Sequence, residues 1–279
     1  MKHAYMALAV ALTAAVSILH ADPINLWPEG KIPNVQANQP VPWLEWHEPA
    51  KKTTDAVLII APGGAYNGWC GDHEGKMIVS FFEKKGLTTV LLRYRTPRPA
   101  KPLPKHLTAW QDAQRCVRLV RRDAAKHGVN PDKIGFVGFS AVGHLTLMTA
   151  TSSTVPAYDP VDHLDNTVPS NVNWAIPVYP AYVLKDGVDG GNAHGGNDLE
   201  KDTLVSDFAF DAKTPPLCFI HGDADVYCSM GSVRVYHLLR TRKIPAELHI
   251  YAKTPHGFGG NMPEWMETAW IWLKRIGQR

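Results

Sequence analysis

The sequence is poor in the features that mark several large protein classes. Cysteine is scarce, four in 279 residues, and Cys70, Cys116, Cys218 and Cys228 contain no C-x-x-C pair. This spacing argues against zinc, and four thiols are too few for a fold held together by disulfides. Cys116 and Cys218 lie inside apolar segments, where cysteine acts as a small buried hydrophobe. Cys70 and Cys228 lie in loops, and a bridge between them is the pairing that placement allows. Charge of one sign is also lacking: 29 Lys+Arg stand against 26 Asp+Glu, a formal +3, with no run of five basic residues. There is therefore no electrostatic footprint for nucleic acid or an anionic membrane. No internal repeat or low-complexity tract occurs, and the 45% hydrophobic and 20% charged fractions are those of a globular chain, which argues against disorder and fibrous repeats. A chain this long buries a sufficient core without staples.

Sustained apolar runs are limited to one, Ala4 to Leu19, preceded by Lys2 and His3 and closed by His20-Ala21-Asp22. It is too short to span a bilayer comfortably. A basic start, an apolar middle and a small residue before polar sequence read as a secretory signal, residues 1–21, cleaved after Ala21. An uncleaved anchor is the alternative. The expectation is a secreted or periplasmic protein with one domain over residues 22–279.

What the sequence does contain is a regular alternation of strands and helices. After Ile24 to Trp27 and the alternating Val41 to His47, Ala56 to Ala61 is a continuous apolar run ending at Pro62-Gly63-Gly64, as expected of a strand buried on both faces. Glu74 to Lys85 carries Met77, Ile78, Phe81 and Phe82 on one stripe, with Gly86 as its stop, and reads as a helix. Thr88 to Tyr94 is the next strand. Leu107, Trp110, Ala113, Val117 and Val120 recur at helical spacing up to Gly128, which closes that helix. Ile134 to Phe139, Val172 to Tyr179, Leu217 to Ile220 and Leu248 to Tyr251 supply further strands, and helices start at Ala141, Ser229 and Met262. This order predicts an α/β fold: a mostly parallel central sheet with helices on both faces.

Chemistry enters at Gly138-Phe139-Ser140-Ala141-Val142-Gly143, where a strand meets a helix. A serine on such a turn projects its hydroxyl above the sheet, and the helix N-terminus aims N–H groups and a positive dipole end at the same place. The G-x-S-x-G pattern is imperfect, because Val142 occupies the second glycine position. A branched side chain there is expected to crowd the turn, so Val142→Gly is expected to keep or raise activity. A serine nucleophile needs a base and an acid that orients the base. Ile220-His221-Gly222-Asp223-Ala224-Asp225 and then Pro255-His256-Gly257-Phe258-Gly259 follow successive strands, at the carboxyl ends where open α/β sheets place their sites. Asp223 and Asp225 both qualify as the acid. His256 is the base that a last-strand position and a glycine-rich turn single out. Pro62-Gly63-Gly64-Ala65-Tyr66 offers oxyanion-hole donors: the N–H groups of Gly64 and Ala65, joined by that of Ala141. Trp69, beside this loop, is a candidate pocket wall for substrate, whereas Trp110, Trp270 and Trp272 read as helix core, and His73, His144 and His221 read as structural. Asp186 to Asp198 reads as a surface or lid loop; it lacks the alternating oxygen ligands of a calcium loop.

These motifs, with His73-Glu74-Gly75, Tyr94-Arg95, Asp112-Ala113-Gln114-Arg115, Val120-Arg121-Arg122 and Gly143-His144-Leu145, resemble the α/β-hydrolase superfamily. The similarity is to its carbohydrate-esterase-like group, which holds acetyl xylan and feruloyl esterases and is related to prolyl-oligopeptidase-type hydrolases. The resemblance covers most of residues 22–279. It implies Ser140 as nucleophile, His256 as general base and, since the family's acid lies four residues after the strand-end histidine, Asp225 as the orienting acid. It also implies an acylated carbohydrate or small-molecule ester as substrate, with no metal and no cofactor required; the charge balance points to no nucleic-acid partner, and the N-terminal reading to no membrane association after signal cleavage. A prolyl-oligopeptidase-type peptidase and an arylformamidase-like amidase use the same machinery. A catalytically silent binding protein is the reading that Val142 motivates.

Overall fold

The computed structural model describes residues 22–185 and 203–279; the segment read as a secretory signal and the Asp186 to Asp198 stretch read as a surface or lid loop lie outside the described residues. Two strands open the chain, β1 (Ile24–Asn25) and β2 (Trp43–His47), followed by β3 (Val57–Ala61). The segment read as one helix from Glu74 begins instead with a single π-helical turn, Asp72–Lys76, which runs into α1 (Met77–Lys84). Next come β4 (Thr88–Arg93) and α2 (Leu107–Asp123), whose last turn tightens over Ala124–His127 until Gly128, at φ 55°, ends it. β5 (Ile134–Phe139), α3 (Ala141–Thr151), α4 (His163–Thr167) and β6 (Trp174–Val178) follow. The short pair β7 (Leu184–Lys185) and β8 (Thr203–Leu204) precedes β9 (Leu217–Gly222), α5 (Met230–Thr241), β10 (Ala246–Tyr251) and α6 (Pro263–Arg275).

Eight strands form one sheet in the order β1-β2-β4-β3-β5-β6-β9-β10. β2 runs antiparallel to β1 and β4, and every pairing from β4 to β10 is parallel. The parity of β3 explains its continuous apolar run. Val57, Ile59 and Ala61 pack with α2, α3 and α5 on one face, while Leu58 and Ile60 pack with α1 and α6 on the other. Side chains that alternate across a pleat must all be apolar when both faces are covered. α3 is buried on every side, so its three threonines satisfy their hydroxyls within the helix. Thr146, Thr149 and Thr151 each donate to the carbonyl four residues back at 2.8 Å, as buried hydroxyls must. Trp110, Trp270 and Trp272 are buried helix residues, as expected. All four cysteines are free, Cys70 and Cys228 included, so the bridge that loop placement allowed does not form.

The opening segment is tied down at Trp27 and Pro33 by a buried ion pair. Arg95 and Asp112 are 1% and 0% exposed. Asp112 accepts from Arg95 Nε at 2.9–3.0 Å, from the Arg95 backbone N–H at 2.8 Å and from the Trp27 indole at 2.8 Å. The guanidinium also donates to the carbonyl oxygens of Pro33 and Thr108 and to Gln111. Burial pushes the Asp112 carboxyl upward, against the pull of Arg95 and its other donors. Removing one member strands the other charge in a dry interior. Arg95→Met is expected to cost about 3–5 kcal/mol, read as a lower denaturant midpoint at unchanged slope.

Candidate active site

Four loops meet at the carboxyl edge of the parallel strands: those after β3, β5, β9 and β10. Ser140 is the single residue between β5 and α3, held at φ 56° and ψ −123°. A side-chain-bearing residue pays about 1–3 kcal/mol for such backbone, and here the turn is fixed by its neighbours. Ser140 N–H donates to Val178 O at 3.1 Å, and Ser140 O accepts from Gly143 N–H at 2.8 Å and Ala181 N–H at 3.0 Å. Close approach explains the glycines. A Cβ on Gly143 would meet Pro180 Cα at 2.7 Å, and one on Gly138 would meet Val142 Cγ1 at 2.8 Å. Val142 thus fills the space that Gly138 leaves open, and it is fully buried there. The crowding expected of Val142 does not arise, because glycine at 138 and valine at 142 are complementary in volume. Val142→Gly would open a void and place a second glycine in the first turn of a buried helix. The expected outcome is a loss of about 2–4 kcal/mol in thermal unfolding, with no gain in activity.

Ser140 Oγ lies 2.7 Å from His256 Nε2, and His256 Nδ1 lies 2.8 and 2.9 Å from the two oxygens of Asp225. A carboxylate only accepts, so Nδ1 carries the proton and Nε2 is left to accept from the serine hydroxyl. Asp225 also accepts the Tyr227 N–H at 2.7 Å. Burial alone would raise the Asp225 carboxyl. Hydrogen bonds from His221, His256 and the Tyr227 backbone, with the charge of His256, outweigh it and hold the group below the usual carboxylate range. Asp223 is exposed, and its backbone N–H bonds Tyr251 O; of the two candidate acids, Asp225 is the one brought to His256. His221 is structural, its ring nitrogens 2.9 Å from Ser232 Oγ and 2.8 Å from Tyr227 O.

The loop after β3 holds Gly64, Ala65 and Tyr66 at φ 136°, 55° and 61°. The turn is closed by the N–H groups of Asn67 and Gly68, which both return to Gly64 O, at 2.9 and 2.7 Å. Among the described residues no acceptor takes the N–H of Gly64, Ala65 or Ala141. A Cβ on Gly63 would stand 3.2 Å from Ser140 Cβ and 2.7 Å from Phe139 O, so this loop passes directly beside the nucleophile position. Tyr66 is fixed from behind: its hydroxyl lies 2.9 Å from His144 Nδ1, and His144 Nε2 lies 3.0 Å from Asp207 Oδ2. Among the described residues, His106, His144 and Asp207 have a metal-ligating composition, with ligand atoms within 4.8 Å of one another. Both nitrogens of His144 are already engaged in this hydrogen-bonded chain.

The pocket-wall assignment of Trp69 is corrected. Its indole donates to Leu92 O at 3.2 Å, its ring meets Trp43 edge-on at 6.1 Å, and Arg93 stacks over it at 5.2 Å. These contacts bind the loop to β2 and β4, so Trp69 is a packing residue on the sheet side. The aromatic rings beside His256 are Tyr227, at 4.6 Å, and Tyr179, at 4.9 Å, with Tyr182 next to Tyr227. Sequence reasoning missed these three: Tyr182 and Tyr227 lie in loops without periodicity, and Tyr179, read as the last residue of a strand, stands just past β6. A cavity of about 640 Å³ opens beside Asn67, between the Arg98 to His106 segment and Asp207.

A strand–serine–helix turn in a mostly parallel sheet, with a histidine after the last strand and an acid after the one before it, defines the α/β-hydrolase fold. The BD-FAE family model matches residues 44–185, half of the chain, and the chain belongs to that family. The model of the prolyl oligopeptidase family matches residues 184–278. The chain is similar to an acetylxylan esterase of Xylanibacter ruminicola, 25% identical over 73% of this chain and 41% of that protein. It is also similar to the endo-1,4-beta-xylanase B of Butyrivibrio fibrisolvens, 28% identical over 74% and 32%. It therefore spans less than half the length of these two relatives. Among solved structures, the acetyl ester-xyloside bifunctional hydrolase from Caldicellulosiruptor lactoaceticus superposes with a TM-score of 0.76, at 23% identity over 95% of this chain and 99% of that one. Esterase 2 of Thermogutta terrifontis superposes at 0.71, with 24% identity over 92% and 95%. At these identities the likeness is one of fold.

Proposed function

We propose that this chain is an exported serine esterase that removes small acyl groups, acetyl or feruloyl, from plant polysaccharide or its oligosaccharides. The observation that carries the reading is the hydrogen-bonded series Ser140–His256–Asp225 beside a loop whose Gly64 and Ala65 N–H groups meet no acceptor among the described residues. Ser140 Oγ attacks the ester carbonyl as His256 Nε2 takes its proton, and the developing oxyanion is received by the N–H groups of Gly64, Ala65 and Ala141. His256 returns the proton to the leaving alcohol. Water, activated in turn by His256, releases the acyl group from Ser140. Asp225 stays charged and keeps the imidazole in the tautomer that can accept. The acetylxylan esterase relative and the match to the BD-FAE family support the choice of an acylated sugar. The cavity beside Asn67 has the size of a small-ligand site. Export rests on the N-terminal sequence.

A fluorophosphonate probe is expected to label Ser140, with labelling abolished in Ser140→Ala; folded protein that stays unlabelled would sink the reading. Asp225→Asn is expected to lower kcat about 10³–10⁴-fold by favouring the wrong imidazole tautomer. Relative kcat/KM on acetylated xylo-oligosaccharide, methyl ferulate, a prolyl peptide and N-formylkynurenine decides the substrate. A preference of orders of magnitude for the peptide or the formamide would replace the ester with an amide.

A further inference from the structure

Glu74 is a carboxylate with no obvious reason to be buried. It sits in the π-helical turn before α1, 3% exposed, and π-helical turns collect at functional positions. Both of its oxygens are committed, and both partners belong to the machinery just described. Oε2 accepts the Gly63 N–H at 2.7 Å, and Oε1 accepts the Tyr179 hydroxyl at 2.6 Å. The Tyr179 oxygen in turn accepts the Gly259 N–H at 3.0 Å. The polar chain therefore runs from Gly63, next to the oxyanion-loop residue Gly64, through Glu74 and Tyr179 to Gly259, three residues beyond His256.

Four further features show how closely this chain is built in. Tyr179 is held at φ 35°, a conformation that a bulky residue adopts only when its surroundings impose it. Its ring packs edge-on against His256 at 4.9 Å and Phe258 at 4.5 Å. A Cβ on Gly259 would stand 2.8 Å from the His73 ring and 3.1 Å from Glu74 Cγ, so the histidine loop lies directly on the π-helical turn. Burial, followed by the charge and hydrogen bond of Glu74, pushes the Tyr179 phenol well above its ordinary range, which keeps it a donor to the carboxylate. The His73 ring is 3.7 Å from Oε1, too far for a hydrogen bond.

We propose that Glu74, acting through Tyr179, is a positioning residue that fixes the oxyanion loop and the His256 loop relative to each other. This rests on the serine esterase reading of the same site. Ser140 is attached to β5, whereas its donors and its base come from two separate loops. One buried carboxylate is bonded into both of them, so neither loop can shift without disturbing its hydrogen bonds to the other. Misplacing reacting groups by an ångström costs about 10²-fold in rate.

The test is a double-mutant cycle of Glu74→Gln and Tyr179→Phe on full-length protein. It is read by kcat and KM on p-nitrophenyl acetate per labelled active site, by the rate of fluorophosphonate labelling, and by the unfolding midpoint. Glu74→Gln retains the shape but turns an amide donor toward one of two donors; Tyr179→Phe removes the hydroxyl that bonds both Glu74 and Gly259, leaving the Gly63–Glu74 bond in place. Each is expected to lower kcat about 10–100-fold with KM within a few-fold, and to slow labelling in parallel. The double variant should be no more than a few-fold worse than the poorer single, because both break one chain. Folded variants with unchanged kcat, or effects that multiply independently, would overturn the proposal. If Glu74→Gln does not fold, Tyr179→Phe decides alone: kcat and labelling unchanged would be enough to reject it. Failure of the wild type to label at Ser140 would instead remove the esterase reading, so the two failures are distinct.

Discussion

The backbone of Ser140 is the constraint on which the rest of the structure turns. A serine at φ 56° between a strand and a helix survives only if strand, helix and following loop are all close enough to hold it. Each of those approaches has left a mark on the sequence. Gly138 lets Val142 into the strand–helix gap, Gly143 lets α3 reach Pro180, and Gly63 lets the loop after β3 pass over the serine. The threonines of α3 follow from the same demand: a helix driven this deep has no wet face, so its hydroxyls must turn back onto its own carbonyls.

Around this fixed point the chemistry is distributed among loops that owe their placement to the sheet. Parallel strands all end at one edge, so residues far apart in sequence arrive together without any local interaction between them. The sheet supplies only approximate placement. The finer adjustment comes from buried polar contacts that cross between loops: Tyr66 with His144 and Asp207, His221 with Tyr227 and Ser232, and Glu74 with Gly63 and Tyr179. Each has its donors and acceptors matched, which a low-dielectric interior requires.

Much of this is legible in the sequence. β3 carries its burial in its composition, since a two-sided strand has no polar face to confuse the reading. The serine, the histidine and the strand-end acids were found because their types and order are tied to their chemistry. The choice of Asp225 over Asp223 rested on a resemblance, and geometry brings Asp225 to His256. What could not be read was whatever depends on complementarity between distant positions. Val142 was a misfit against a pattern and a fit against Gly138. Trp69 was close to the loop in sequence, but its ring turns to Trp43 and Arg93. Glu74 stood inside a recognised motif, yet nothing local reveals that its partners are Gly63 and a tyrosine 105 residues further on.

The position of the Arg95–Asp112 pair has a consequence for how the chain is made. Trp27 must wait for Asp112, 85 residues later, before its indole has an acceptor, and Ser140 must wait 116 residues for His256. During vectorial synthesis the Trp27 indole therefore gains its acceptor only once α2 has been made. The reactive centre is assembled last, from the final strand. A nascent chain therefore presents Ser140 without its His256 partner until β10 and the loop after it have been made.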